Sequence, residues 1–453
     1  MRSFKNRYLA LSAVLLCLSF EARAQSTTKG SAEVLTLQQA IELALRENRQ
    51  IYSASLDVMR STEATAASRL RRLPTFNVDI FAAQQLTPID FTFERGVFGT
   101  YPGIGPVPAE NTKLSTPMKP TAVFTTRITQ PLSTLYKINL GLRQSELNTE
   151  IAREELRAKQ QQVTRDVKRG YFALLQTQSA LASAQETVRM YRELDRVTGN
   201  YLAQEVVLKS DSLDVKSRLA KSESDAITLV DQFGIQKQQL NLLLGRDVMT
   251  DFSVVALTDA DNGELDLAAA RRQALELRPE IREARLKMRQ SDLDRRIKKA
   301  EYIPEINATF QYVVAANFNN VIPKSYMNIG LSVSWEVFDW GRKKHELAEK
   351  EFASAQAKSV VRDAESKVLI EVNDSFNKVR QARRLFAVSE LNREAAAENV
   401  RVLTNRYKVQ MSLLSDVLRA HTQLEELNNQ KTQALLGLWT ALAEYETALG
   451  EDK

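Results

Sequence analysis

Two spacings in this sequence could place charge for chemistry. Asp211 and Asp214 stand three apart, and Asp416 and Arg419 repeat that spacing further along. Residues three apart share one helix face, so each pair would line one side of one turn. Such groups could cap a helix start. Ser210, Asp211, Ser415 and Asp416 all carry oxygens suited to an N-cap. His345 and His421 are the only histidines, and neither has a partner at metal-ligand spacing. There is no Gly-rich phosphate loop and no nucleophile–base pairing. The expectation is no catalytic residue, no metal and no cofactor, so not an enzyme.

The opening residues read as an address. Arg2, Lys5 and Arg7 precede an apolar run, Leu9 to Leu18, and Ala22-Arg23-Ala24 forms a cleavage signal before Gln25. Residues 1–24 are therefore expected to be a signal peptide cut between Ala24 and Gln25. Its removal takes four basic residues against one acid and lowers the net charge from +6 to +3. That leaves no basic excess calling for nucleic acid. The single cysteine, Cys17, lies inside this leader, so disulfides are not expected.

What would position the charged pairs is a repeat. Leu35-Thr-Leu-Gln-Gln-Ala40 matches Leu265-Asp-Leu-Ala-Ala-Ala270. At the same offset Ile51 matches Ile281, and Pro74 matches Pro304. The chain divides into a first repeat, 25–245, a linker, 246–264, and a second repeat, 265–453. Each repeat reads as helix, strand hairpin and long helix hairpin. The strand hairpins occupy 75–132 and 305–339, and the helix hairpins 134–245 and 341–449.

Leu37, Ala40, Ile41, Ala44 and Leu45 make an apolar stripe after Thr36, a helix start that runs to about Arg72 before Pro74. Phe76, Val78 and Ile80 then alternate with Asn77 and Asp79, and the return strand spans Ala122 to Leu132. In the second hairpin Ile306 to Val314 alternates, and so does Met327 to Val337, which predicts a strand over 327–337. Thr87 to Pro120 is a long loop carrying Phe91, Phe93, Phe98 and Tyr101, either a surface lid or a self-packed loop.

Thr134 to Ala203 holds no proline, and a helix of that length spans roughly 100 Å. Val167, Leu174, Leu181 and Val188 recur at sevens, with Gly170, Thr177, Ala184 and Tyr191 three further on. Val372, Val379 and Phe386 repeat the seam in the second half. Its small residues suit helices close-set around a hollow tube, and equally a coiled-coil rod.

Four amphipathic strands per chain cannot stand in lipid alone, because an open sheet leaves edge groups unpaired. Closed barrels start near eight strands, so copies must pool their strands. Asn77, Asp79, Arg127, Thr129, Asn307, Thr309, Gln311, Ser332, Ser334 and Glu336 would line a wet bore. Trp335 and Trp340 suit a membrane-interface belt, with core packing as the alternative.

The paired L-x-L-x-x-A starts, the paired strand hairpins and the long helices ending near Tyr201 and Tyr407 together resemble the TolC family of outer-membrane efflux proteins. The resemblance implies a mainly α fold with four membrane β-strands per protomer, closed by trimerisation into a twelve-stranded barrel over a helical tube. It implies a passive exit duct of a tripartite efflux pump or type I secretion system, in the outer membrane and reaching across the periplasm. The implied partners are two further copies, outer-membrane lipid, a periplasmic adaptor and an inner-membrane transporter. It implies a gate at the helical tip, carried most directly onto Asp211 and Asp416, with Asp214 and Arg419 beside them. Arg419 stands where a second acid is expected. Gln204 and Gln410 stand where the family favours glycine, which predicts a tighter or more helical tip turn. A soluble periplasmic scaffold is the other class, and the alternation at 327–337 argues against it.

Overall fold

Nothing interrupts the backbone hydrogen bonding between Leu135 and Ala203, and that stretch is one helix of 69 residues. The computed structural model describes residues 33–88, 90–115, 118–205, 208–256, 265–316, 324–408, 411–412 and 414–451. The expected cleavage residues Ala24 and Gln25, and Gln410, lie outside them.

The first repeat begins with strand β1 (Glu33–Leu35) and helices α1 (Leu37–Glu47) and α2 (Arg49–Leu70). Thr36 caps α1: its hydroxyl accepts from Gln39 N–H, and the Gln39 side chain accepts in turn from Thr36 N–H. The expected single helix to Arg72 is broken at Asn48, whose extended backbone ends α1 and whose side chain caps α2. Strand β2 (Thr75–Gln84) leads into a loop built of β3 (Asp90–Phe93), β4 (Thr100–Tyr101), β5 (Gly105–Pro106) and β6 (Thr112–Ser115). In it β3 pairs with β6 and β4 with β5, while Phe93 stacks on Phe91 and meets Phe98 at a tilt. Strand β7 (Pro120–Pro131) returns to α3 (Leu135–Ala203) and α4 (Lys209–Leu243).

The linker contributes β8 (Phe252–Val254), which lies parallel to β1. The buried Tyr171 hydroxyl ties the two together: it accepts from Val255 N–H and contacts the Leu35 and Val255 carbonyls. The second repeat gives α5 (Leu267–Leu277), α6 (Pro279–Ala300), β9 (Glu305–Ala316), β10 (Ser325–Ser334), α7 (Arg342–Lys408) and α8 (Leu414–Leu449). No described helix is long and apolar enough to cross a membrane.

Two apolar cores sit where half-length helices meet the long ones. The first gathers Ala44, Val167, Leu174, Leu240 and Phe252. The second gathers Ala274, Val372, Val379 and Leu438. The heptad seam is buried at Val167, Leu174, Val188, Val372 and Val379, while Leu181 and Phe386 are half-buried. Beside α3, α4 rises to end at Leu243 against Asn48, where α2 continues the line. Beside α7, α8 ends at Gly450 against Arg278, where α6 continues.

Candidate functional site

The four long strands form one antiparallel sheet in the order β10-β9-β7-β2. Its register runs without a bulge, so alternation carries straight across. Asn77, Arg127, Gln311 and Asn328 fall side by side on one face. Thr75, Thr129, Thr309 and Gly330 form the next row on that face. The opposite face carries Phe76, Ile128, Phe310 and Ile329 in one row and Val78, Thr126, Tyr312 and Met327 in the next. Nine of the ten residues expected to line a bore share the polar face. Glu336 does not, because β10 stops at Ser334. Ser334 pairs with Glu305, the first residue of β9, so Trp335 to Val337 have no strand to pair with.

The sheet is not closed: β2 and β10 are open edges. The helices repeat this arrangement twice. Above the two cores they pack in the row α2-α3-α6-α7, and below them in the row α4-α3-α8-α7. In all three layers one edge belongs to the first repeat (β2, α2, α4) and the other to the second (β10, α7). Both helical edges expose large apolar side chains. Tyr52, Leu56 and Met59 stand on α2, and Ile227, Val230 and Ile235 on α4. Phe352, Ile370, Val388 and Leu391 stand on α7.

Cross-ties set the relative heights of these helices: Arg192–Glu223 from α3 to α4, Lys168–Glu446 from α3 to α8, and Lys431–Glu390 from α8 to α7. By these ties Ile235 stands level with Val388, and Val230 with Leu391, to within about one helical turn.

Where strand becomes helix, the two repeats use different locks. Ser133 Oγ donates to the Pro304 carbonyl at 2.6 Å and accepts from Ile306 N–H at 2.7 Å. This crosslink between the hairpins was not anticipated from sequence. At the other passage Asp339 accepts from Gly341 and Lys343 N–H at 3.0 and 2.9 Å. Those bonds, the Lys343 one foremost, hold its carboxyl below the usual range. Trp340 takes a left-handed φ of 58° and is 90% exposed beside Phe338. Trp335 is exposed too, so neither tryptophan packs in the chain's own core.

At the far tip α3 ends at Ala203, beyond the half-exposed Tyr201. Gln204 caps it, and Glu205 takes the left-handed turn at φ 60°, a conformation that usually selects glycine. Helix α4 starts at Lys209 with Leu208 at its cap position. Ser210 and Asp211 therefore lie inside the first turn and are not N-caps, a correction to that reading. Asp416, and Ser415 before it, likewise lie within α8. Asp214 binds Arg218 at 2.9 Å, while no ion pair joins Asp416 to Arg419 among the described residues. Tyr407 lies in the last turn of α7, and Met411 N–H closes the turn on the Arg406 carbonyl. No group of metal-binding side chains occurs among the described residues.

The fold and these edges define a class: a membrane β-ribbon with a wet face and a greasy face, carried on helices too long for a globular core. The chain belongs to the outer membrane efflux protein family, whose model it matches over residues 40–246 and 270–451. It is thus an outer-membrane exit duct with a helical extension into the periplasm. Among solved structures, the Campylobacter jejuni CmeC outer membrane channel is similar at TM-score 0.76 and 12% identity, covering 91% of this chain and 85% of that one. A membrane protein from Pseudomonas aeruginosa is similar at TM-score 0.74 and 16% identity, over 91% and 90%. The open state of the Neisseria gonorrhoeae MtrE outer membrane channel follows at TM-score 0.70 and 15% identity, over 92% and 89%. At those identities the likeness is one of fold. No curated protein sequence matches this chain.

Proposed function

We propose that three copies join edge to edge, β2 to β10 and α2 and α4 to α7. They make a twelve-stranded barrel over a twelve-helix tube. The observation that carries this is the coincidence of open edges in all three layers, with apolar stripes level with one another. Burying those stripes favours assembly, and pairing β2 with β10 removes the strand edges that lipid cannot solvate.

Cargo enters at the tip and leaves through the barrel. The chain has no nucleotide motif, so a periplasmic adaptor and an inner-membrane transporter supply energy and choose the cargo, in a tripartite efflux pump or a type I secretion system. Asp211, Asp214, Asp416 and Arg419 ring the tip near Tyr201, Gln204 and Tyr407. Opening swings the tip hairpins outward. Trp335 and Trp340 mark the inner membrane–water interface.

The test is a cysteine pair, Val230→Cys with Leu391→Cys, in a chain whose only cysteine is Cys17. Oxidation in mild detergent should give a covalent trimer, while either single variant gives none. A monomer that leaves lipid vesicles ion-tight would overturn the reading.

A further inference from the structure

The polar face of the sheet does not stay polar. Read outward from the helices, its rows are Thr75-Thr129-Thr309-Gly330 and then Asn77-Arg127-Gln311-Asn328. The next is Asp79-Thr125-Val313-Tyr326, and after it Phe81, Val123 and Ala315 stand together, with Lys324 bonded beside Ala315. The last two rows before the loops therefore bring Phe81, Val123, Val313, Ala315 and Tyr326 onto the face that is hydrophilic below, with Asp79 and Thr125 at the lower margin of the patch. The unbroken register fixes this parity: Phe76, Val78 and Ile80 face the other way. Aromatics meant for a lipid-facing girdle would sit on that other face.

Val313 is 6% exposed, the one buried residue among the described residues of the four strands. Phe81 and Tyr326 are 67% and 50% exposed and stand on the two open edges. Strand β2 runs outward and β10 runs inward. On the two edge strands Phe81 and Tyr326 stand one row apart, so closing β2 on the next copy's β10 brings both residues to the same seam.

We infer that three Phe81–Tyr326 pairs, each completed across a copy boundary, form an apolar collar inside the exit mouth. Val123 and Val313 back it. The inference rests on the trimeric channel reading and adds a specificity element to it. A narrow apolar ring hinders groups that must keep their hydration. It gives contact area to solutes with an apolar body. The collar thus favours amphiphilic cargo over small hydrophilic solutes, and it slows inward leakage of the latter.

The test labels single cysteines on intact cells. Asn77→Cys sits in the bore below the collar, Ile104→Cys in the outer loop, and Phe76→Cys on the opposite sheet face. Two maleimides of similar size are added from outside, one charged and one neutral and amphiphilic. Rates at Asn77→Cys are divided by those at Ile104→Cys. The charged probe should label Asn77→Cys several-fold more slowly than the neutral one. Adding Phe81→Ser and Tyr326→Ser should remove the difference, whereas Phe81→Leu keeps it. Each variant is scored by a ratio of probes, so poor assembly cancels. Equal ratios with and without the serine changes would overturn the collar and leave the channel standing. Labelling at Phe76→Cys but not at Asn77→Cys would overturn the sheet orientation, and the collar with it.

Discussion

At the first helix joint Asn48 does three jobs with one short side chain. Its Oδ1 accepts from Gln50 and Ile51 N–H, and its Nδ2 donates to the Leu243 carbonyl where α4 ends. At the second joint Arg278 is followed by Pro279, which removes only the first helix N–H, and the Arg278 side chain makes no cap hydrogen bond. The 6%-exposed guanidinium instead reaches Glu280, Glu371 and the Thr447 carbonyl where α8 ends. Both joints end the incoming helix on a left-handed glycine, Gly245 at φ 75° and Gly450 at φ 78°. The shared geometry is an end-to-end abutment in which one side chain must satisfy a terminal carbonyl of the neighbouring helix. The chemistry differs because Asn48 carries a side-chain oxygen that accepts from the second and third helix N–H groups, whereas Arg278 can only donate and leaves those of Glu280 and Ile281 uncapped.

The glycines give the sharpest way to break this comparison. A Cβ on Gly245 would lie 2.1 Å from the Glu47 carbonyl oxygen, whereas one on Gly450 would lie 3.0 Å from Arg278 N. Gly245→Ala should cost about 3–5 kcal/mol from the left-handed backbone plus forced displacement. Gly450→Ala should cost about 2–3 kcal/mol on the same grounds. Apparent Tm in mild detergent would rank them, and equal falls would mean the joints are equally tight.

The side chains sharpen it. Asn48→Ala should cost about 1–2 kcal/mol, as lost caps do, and the loss should not depend on salt. Arg278→Ala should cost about as much at low salt and less at high salt. Its partners Glu280 and Glu371 are half exposed, so the lost attraction is already screened there. Melting both variants across a salt series checks this, and parallel salt responses would contradict the contrast.

Much of this architecture was legible because strand and helix periods differ so plainly. Alternation gave the two sheet faces residue by residue, and the proline-free stretches gave the long helices. The joint at Asn48 was hidden because nothing in the first repeat breaks the helical pattern there, while the proline at 279 sits openly in the second. Strands β1 and β8 are three residues each, too short for a period to register. β10 was drawn too long because alternation continues through Trp335 and Val337, although β9 begins only at Glu305. At the tip, cap-forming side chains at Ser210 and Asp211 suggested a helix start that backbone hydrogen bonding places at Lys209. The open edges needed the order of strands and helices, which depends on contacts between the repeats.

The smallest expected effect concerns the ties beside each joint. The first repeat has a Lys237–Asp251 bridge at 2.7 Å between α4 and the segment entering β8. Beside the second joint the tie is an amide-to-carboxylate hydrogen bond with no cation in it, Gln273 Nε2 to Glu451 Oε1 at 3.0 Å. Hydrogen bonding to Lys237, and then its charge, holds the Asp251 carboxyl below its ordinary value of 3.8. A carboxyl lowered in the folded state binds protons more readily when unfolded, so its contribution is full above the ordinary value. It is lost as pH falls through the lowered one, below 3.8. Asp251→Asn should therefore leave apparent Tm almost unchanged between neutral and mildly acidic pH, because an exposed pair contributes little. The small difference that remains should close at more acid pH, below 3.8, where the parent loses the bridge as well. The first joint would lose a tie in acid that the variant never had. A difference that persisted unchanged into acid would show that the bridge does not distinguish the two joints.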